Sequence, residues 1–188
     1  YPGTNPFLTR DLIGFFDHLA RTPAERRVTD ADRYARDPAY RQSLHFFSDC
    51  NSCLRRSVWR DHPFPEVDFA EDQAWADRVL RAGYATVYAD SAAVFHGHDF
   101  GVGDTYRRSA AESAAYRALF GYALCPTLRV GLTAWLRMTA SDVRYALRHR
   151  LWWRAPRWTL KMPALIGARL AGYYVGGRAS TYFRAARK

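Results

Sequence analysis

The chain has 188 residues and a formal net charge of +10, with 28 Lys and Arg against 18 Asp and Glu. This length is enough for one domain with a buried core. It contains neither a run of about 18 apolar residues nor an apolar leader, which argues against a transmembrane helix and a secretory signal. The cysteine count of 3 is odd and forms no evident disulfide framework, so we expect a reducing compartment, with the cytoplasm as the default.

The charge is distributed unevenly along the chain. Residues 1–99 sum to −3, whereas residues 100–188 sum to +13 and also carry many aromatic side chains. A basic, aromatic set of helices favours anionic lipid headgroups or nucleic acid as a partner. Because no nucleic-acid reading motif accompanies the charge, we expect no nucleic-acid partner.

Apolar spacing and turn residues predict short elements in the first part of the chain. We expect a helix over Asp11–Ala20, a polar and turn-rich segment over residues 21–43, a buried strand over Leu44–Phe47, and a short helix over Arg55–Trp59. Three long helices follow beyond residue 100: Asp104–Leu124, Thr127 to about Arg154, and about Pro163 to Val175. Gly172 and Gly176 in the last helix predict a flexible helix terminus; close helix packing is the alternative.

The segment from Phe64 to His98 contains most of the candidate catalytic and metal-binding residues. Glu71 and Asp72 precede a run with helical spacing that ends at Gly83, and a short strand is predicted over Tyr84–Asp90. Free N–H groups and the helix dipole favour ionised carboxylates in a first helical turn, where they are held as proton acceptors. The simpler interpretation is that the pair only stabilises the start of the helix.

Two histidines follow a second extended piece, Ala93-Val94-Phe95. His96 and His98 lie two apart, so an extended chain places both side chains on one side. Together with Cys50 and Cys53 they would form a Cys2His2 zinc set. The 42-residue gap between the two pairs differs from compact finger spacing, and small buried cysteines after a strand are the preferred interpretation.

Several of these motifs together resemble the acceptor-side half of family 2 glycosyltransferases, near the rhamnosyltransferase and galactofuranosyltransferase branches. The resemblance covers residues 45 to about 110. It rests on motifs in the family's order: Glu71-Asp72, Trp75 with Arg78, Ala82-Gly83-Tyr84, Tyr88, and Ala92-Ala93-Val94-Phe95-His96-Gly97-His98.

The resemblance implies roles for particular residues. Asp72 would be the general base that deprotonates the acceptor hydroxyl, with Glu71 supporting it. His96 would join the family's Asp-x-Asp pair around Mg²⁺ or Mn²⁺. The resemblance places that pair upstream of Tyr1, so we expect the metal site to be incomplete in this chain. The substrate-contacting candidates are Trp75, Arg78, Asp49, His98 and Arg108; for Trp75, packing in the core is an equal alternative.

The fold class implied is α/β: the C-terminal part of an A-type nucleotide-diphospho-sugar transferase fold with a helical C-terminal extension. Residues 1–110 would be the acceptor-side catalytic part, without its nucleotide-binding half, and residues 111–188 the basic, aromatic extension. Since the chain begins at Tyr1, a fragment is the simplest interpretation. We expect the isolated fragment to be inactive.

The function implied is inverting transfer of a sugar, with rhamnose the nearest resemblance, from a nucleotide-sugar donor to a hydroxyl. The acceptor would be a surface polysaccharide or a lipid-linked glycan, and the basic tail would dock on an anionic membrane. We therefore expect a cytoplasmic protein that lies peripherally on the inner face of the plasma membrane. The alternative is a basic helical module that binds membrane or nucleic acid without catalysis.

Overall fold

The computed structural model describes residues 5–92, 94 and 100–179. The described chain divides into two compact units. The mixed unit comprises residues 16–92 and 94, and the helical unit comprises residues 5–15 and 100–179. The domain division predicted after residue 110 falls inside a single helix and stays a prediction.

The mixed unit contains four short helices and one pair of strands. The first helix of the chain, α1 (Pro6–Ala20), begins in the helical unit and ends in the mixed unit. The other elements are β1 (Glu25–Arg26), α2 (Ala31–Arg36), α3 (Pro38–His45), α4 (Arg56–Asp61), α5 (Glu71–Arg81) and β2 (Thr86–Val87), with a single 3-10 turn at Asp49–Asn51.

The predicted A-type α/β fold is wrong for this structure. Helices account for 67% of the described residues, and the sheet found there is a single antiparallel pair, β1 with β2, in which Glu25 pairs with Val87 and Arg26 with Thr86. A parallel α/β sheet requires several strands with near-continuous apolar runs. This chain instead supplies alternating charges and helix-forming Ala, Leu and Arg, which favour helices.

The strand predicted over Leu44–Phe47 is also wrong, because α3 extends through Leu44 to His45. The signals for this helix lie upstream of the aromatic run. The carboxylate of Asp37 accepts hydrogen bonds from the N–H groups of Ala39 and Tyr40, and Pro38 occupies the first helical position. The cap therefore determines the structure of a segment whose composition favours a strand.

Asp77 joins three helices within the mixed unit. Its carboxylate accepts a hydrogen bond from the hydroxyl of buried Tyr34 on α2 at 2.8 Å and from Arg81 on α5 at 2.9 Å. Arg41 on α3 lies 3.5 Å from the same carboxylate. Because buried polar groups need partners, this cluster fixes how α2 and α3 pack against α5.

The helical unit consists of the start of α1 and four further helices. These are α6 (Val102–Phe120), α7 (Leu128–Arg148), α8 (Leu151–Arg154) and α9 (Pro156–Gly176). Helix α6 ends at Gly121, whose φ of +80° is readily adopted by glycine, and Thr127 caps α7. Long helices lie at all three predicted places, but their bounds differ from the prediction. Helix α6 ends at Phe120, the tract predicted from Thr127 to about Arg154 is divided into α7 and α8 at Arg150, where φ is 54°, and α9 begins at Pro156 and contains Pro163.

The core of the helical unit lies between α7 and α9. Its buried members are Phe7, Ala146, Leu151, Trp158, Met162 and Ile166. The indole N–H of Trp135 on α7 donates to the backbone oxygen of Pro163 on α9 at 2.9 Å. Arg10 on α1 adds an ion pair with buried Asp142 at 2.7 Å, which attaches the start of α1 to α7.

Two glycines bring α9 against α6. A Cβ built on Gly172 would lie 2.5 Å from the backbone oxygen of Tyr106, and one on Gly176 would overlap the backbone oxygen of Ala110. Only glycine permits this approach, so the structure supports the close-packing alternative. The predicted helix terminus is also present, because α9 ends at Gly176, whereas the predicted flexibility stays a prediction. Across the same interface, the hydroxyl of Ser113 donates to the backbone oxygen of Tyr173 at 2.7 Å.

Among the described helices, none combines the length and apolar character needed to cross a bilayer.

We predict that Gly176→Ala lowers the free energy of unfolding by roughly 1–3 kcal/mol, because the added methyl group forces α6 and α9 apart. Gly167→Ala is the matched control on the same helix: its added Cβ would lie 3.5 Å from the Trp135 indole nitrogen, an ordinary contact. Replacing glycine by alanine in a helix then stabilises by up to about 1 kcal/mol. Urea unfolding of both variants measures the difference, and equal effects would contradict the close contact.

We further predict that Glu112→Gln removes part of the pH dependence of stability. Burial raises the pKa of Glu112 above its usual value, although the Tyr173 hydroxyl donates to its carboxylate at 3.0 Å. The folded chain therefore binds this proton more tightly than the unfolded chain, so Glu112 makes stability fall as pH rises from about 4.5 through the folded-state pKa. The glutamine variant should lose that decline in urea unfolding measured across this range, whereas exposed Asp104→Asn should keep it.

Candidate functional site

The candidate site lies at the N-terminus of α5. The residue before the helix, Ala70, has a left-handed φ of 62° and supplies no side-chain cap. The carboxylate of Asp72 accepts hydrogen bonds at this helix start instead: one from the backbone N–H of Gln73 at 2.7 Å and one from the backbone N–H of Asp49. Asp72 is thereby fixed between the first turn of α5 and the 3-10 turn at Asp49–Asn51. The helix predicted after the Glu71-Asp72 pair is confirmed.

Buried Gln73 holds this helix terminus in place. Its amide nitrogen donates to the backbone oxygen of Phe47, and its amide oxygen lies 3.1 Å from the Nδ1 atom of His45. His45 is fully buried, and burial lowers its pKa, so the imidazole is held neutral. The orientation of Asp72 is therefore set by a buried polar chain that connects α5 to the end of α3.

The pKa of Asp72 is raised above its ordinary value of 3.8. Partial burial is the largest cause, because it disfavours the charged form. The N–H of Gln73 opposes the shift by stabilising the carboxylate, and the negative charges of Asp49 and Glu71 add to it. A carboxylate with a raised pKa is a stronger proton acceptor than an exposed aspartate.

Asp49 and Glu71 lie beside Asp72 with different exposure. Glu71 is the first residue of α5 and is partly buried, whereas Asp49 is exposed at the start of the 3-10 turn. Both lie close enough to raise the pKa of Asp72. The structure thus brings together three of the predicted site residues, all of them acidic.

Trp75 and Arg78 follow on the same helix and contact the segment before it. Trp75 is 5% exposed; its ring centroid lies 5.3 Å from that of Phe47 and 5.4 Å from that of Phe64. Its indole N–H donates to the backbone oxygen of His62 at 2.6 Å. These contacts support the packing interpretation of Trp75. Exposed Arg78 donates to the backbone oxygen of Pro63 at 3.1 Å.

The remaining predicted site residues are not brought to this cluster by the described structure. His96 and His98 lie outside the described residues, as does most of the extended piece before them. Arg108 belongs to the helical unit, where its guanidinium lies 5.4 Å from the centre of the Phe100 ring.

The described residues do not fit a metal site. Among them, no group of three His, Cys, Asp or Glu side chains has an arrangement that could hold a metal ion. The predicted magnesium or manganese ligand, His96, is not described, so the metal stays a prediction. Cys50 and Cys53 are exposed, so the prediction that they are small buried residues after a strand is wrong. The zinc alternative also depends on the undescribed histidines and stays untested.

The sequence did not indicate the supporting residues Gln73 and His45. Gln73 follows directly after Asp72, at a position where its side chain reaches the buried side of the helix. A polar residue at an otherwise apolar helical position, next to Ala76 and Leu80, was the available signal. The sequence gives no such signal for His45, because its segment is predicted to be a strand and not the end of a helix.

Comparison with known proteins found no match to this chain among family models, curated proteins or solved structures.

Proposed function

We propose that the chain carries the proton-accepting part of a glycosyltransferase that transfers a sugar from a nucleotide-sugar donor to a hydroxyl. The observation that carries the proposal is the environment of Asp72. Its carboxylate is partly buried, is fixed by two backbone N–H groups and has a raised pKa. The proposal rests on this site and not on the fold, because one chemistry can occur on unrelated folds.

In the proposed reaction Asp72 acts on the acceptor. Its carboxylate takes the proton of the acceptor hydroxyl while that oxygen forms a bond to the anomeric carbon of the donor sugar. The bond from this carbon to the diphosphate oxygen breaks at the same time, and the nucleoside diphosphate leaves with the bonding electrons. Attack opposite to the leaving group inverts the anomeric configuration. No step is assigned to a metal, because the described residues do not fit one.

The neighbouring carboxylates have a supporting role in this proposal. Asp49 and Glu71 raise the pKa of Asp72 by their negative charge, which moves it toward neutral pH. General bases are most effective when their pKa approaches the working pH. An acceptor hydroxyl is neutral before it loses its proton, so the negative charges beside Asp72 do not repel it.

The order of motifs over residues 45 to about 110 supports the substrate class. It resembles family 2 glycosyltransferases, and rhamnosyl transfer is the nearest branch. The proposed acceptor is accordingly a polysaccharide or a lipid-linked glycan.

We predict that Asp72→Asn lowers kcat roughly 100- to 10,000-fold, the usual contribution of a general base. The measurement follows sugar transfer from a panel of nucleotide sugars by the gene product that contains these residues. Asparagine keeps one oxygen acceptor, which serves the N–H of Gln73, and removes a charge that burial disfavours. The melting temperature of the variant should therefore not fall.

Asp68→Asn is the matched control, since Asp68 is exposed shortly before the same helix. It should retain transfer. If Asp72→Asn retains full turnover of a donor that the wild type uses, Asp72 is not the base. A lowered melting temperature without loss of turnover would favour the simpler role of Asp72 as a helix-start charge.

We also predict that transfer loses activity at acidic pH with a midpoint above the ordinary aspartate pKa of 3.8, because protonated Asp72 cannot accept a proton. Asp49→Asn should shift this midpoint to lower pH, because it removes a negative charge that raises the pKa of Asp72. The dependence of kcat/KM on pH measures both effects. An unchanged or higher midpoint in the Asp49 variant would contradict the assigned role of Asp49.

A further inference from the structure

The tip of the helical unit, defined as residues 147–161, exposes large apolar side chains. Here α7 ends, α8 forms a single turn and α9 begins. Trp153 is 88% exposed, Leu160 71% and Leu147 62%, and Trp152 is also exposed. Side chains of this size at a chain turn leave much apolar surface in contact with water, which is unfavourable unless a partner covers it.

Loose packing does not explain this exposure, because the inner side of the tip is filled. Leu151 and Trp158 come from the same stretch and are buried in the core of the helical unit, together with Ala146. The sequence therefore provides separate residues for the core and for the outer surface. The exposed tryptophans and leucines form an outward face of the tip.

Cations surround this apolar face. They are Arg148, Arg150, Arg154, Arg157 and Lys161. All five are exposed, and none forms an ion pair with any residue in the described parts of the chain. The sequence has no Asp or Glu after Asp142. The tip thus combines unneutralised positive charge with exposed indole and aliphatic groups.

A basic cleft adjoins the tip through Arg148. It is lined by Ser141, Arg144, Tyr145, Arg148 and His149 at the end of α7, and by Arg10 and Asp11 of α1, so three arginines face one carboxylate there. Arg10 is already paired with Asp11 and Asp142, whereas Arg144 and Arg148 have no acidic partner among the described residues. The cleft therefore extends the positive surface beside the apolar face and leaves two guanidinium groups for phosphate oxygens.

This combination matches the chemistry of an anionic phospholipid surface. Tryptophan favours the interface between headgroups and acyl chains, and exposed leucines insert below it. Arginine and lysine near the surface are attracted to anionic headgroups. A single-stranded nucleic acid would use the arginines and tryptophans but would leave Leu147 and Leu160 without a partner.

We propose that residues 147–161, with the adjoining cleft, dock the helical unit on the surface of an anionic phospholipid membrane, with Trp153 and Leu160 inserted and the cations on the headgroup phosphates. No described helix is able to span a bilayer, so the attachment is to the surface. This inference is independent of the proposed transferase function, because it concerns only the helical unit and its test measures no sugar transfer.

The test is co-sedimentation of the full chain with phosphatidylcholine vesicles, with and without phosphatidylglycerol. We expect binding only to the mixed vesicles, weakening as salt is added. The triple variant Arg150→Gln, Arg154→Gln, Arg157→Gln should lower the partition coefficient on the order of 100-fold, as three lost surface cations imply. The double variant Trp153→Ala, Leu160→Ala should also lose binding, but its residual binding should depend more strongly on salt.

Matched controls come from the opposite end of α7. Leu128 and Leu132 are similarly exposed, at 67% and 60%, and Arg129 and Arg137 are exposed cations on the same helix. Leu128→Ala with Leu132→Ala, and Arg129→Gln with Arg137→Gln, should bind vesicles nearly as the wild type does. Equal losses from the control and tip variants would overturn the proposal, because general charge and hydrophobicity would then explain binding.

Three other outcomes would also overturn it. The first is equal binding to both kinds of vesicle, or binding to neither. The second is that the chain binds no vesicles but binds a single-stranded oligonucleotide, and that the tip variants lose this binding. The third is that the chain binds no vesicles but self-associates, and that Trp153→Ala abolishes the self-association. Far-UV circular dichroism of each variant verifies that its helices are retained.

Discussion

The position of Asp72 depends on one buried side chain, the amide of Gln73. This amide bonds the backbone oxygen of Phe47 on one side and faces the buried imidazole of His45 on the other. A buried amide with one partner removed would be strongly unfavourable, so the first turn of α5 has little freedom to move away from the end of α3. The 3-10 turn that carries Asp49 begins two residues after Phe47, and the backbone N–H of Asp49 donates to the carboxylate of Asp72. A structural network thus produces a carboxylate with fixed orientation and a raised pKa.

The helical unit is held together by a different kind of packing. Its helices approach each other through small residues, with Gly172 and Gly176 of α9 against α6, and its core is filled by a few large side chains. Other large residues lie outside this core, and those at the tip, such as Trp153 and Leu160, share their segment with cations that have no ion-pair partner among the described residues. The two proposals complement each other chemically, because a hydroxyl acceptor carried on a lipid would be found at the membrane surface proposed for the tip.

The sequence predicted most of the helices but not the fold class. Long amphipathic stretches and caps such as Thr127 and Gly121 are local signals, and α5, α6 and α7 follow from them. The α/β fold was inferred from a resemblance. Its expected strand at Leu44–Phe47 is absent because helix α3, which Asp37 caps and Pro38 begins, extends to His45. Asp72 was singled out through the resemblance, and its place at a helix start followed from the local pattern. Its environment could not be predicted, because His45 and Asp49 come from more than 20 residues earlier in the chain and approach the start of α5 only through tertiary packing, which also buries the Gln73 side chain.

The most direct test of the central claim is a carboxyl ¹³C NMR titration of Asp72, whose signal is identified by its absence from Asp72→Asn. The account predicts a midpoint clearly above the ordinary aspartate pKa of 3.8, because burial and the charges of Asp49 and Glu71 both disfavour ionisation. A midpoint at or below that value would mean that hydrogen bonds from the helix terminus dominate. Asp72 would then be a stabilising helix-start charge and not a proton acceptor.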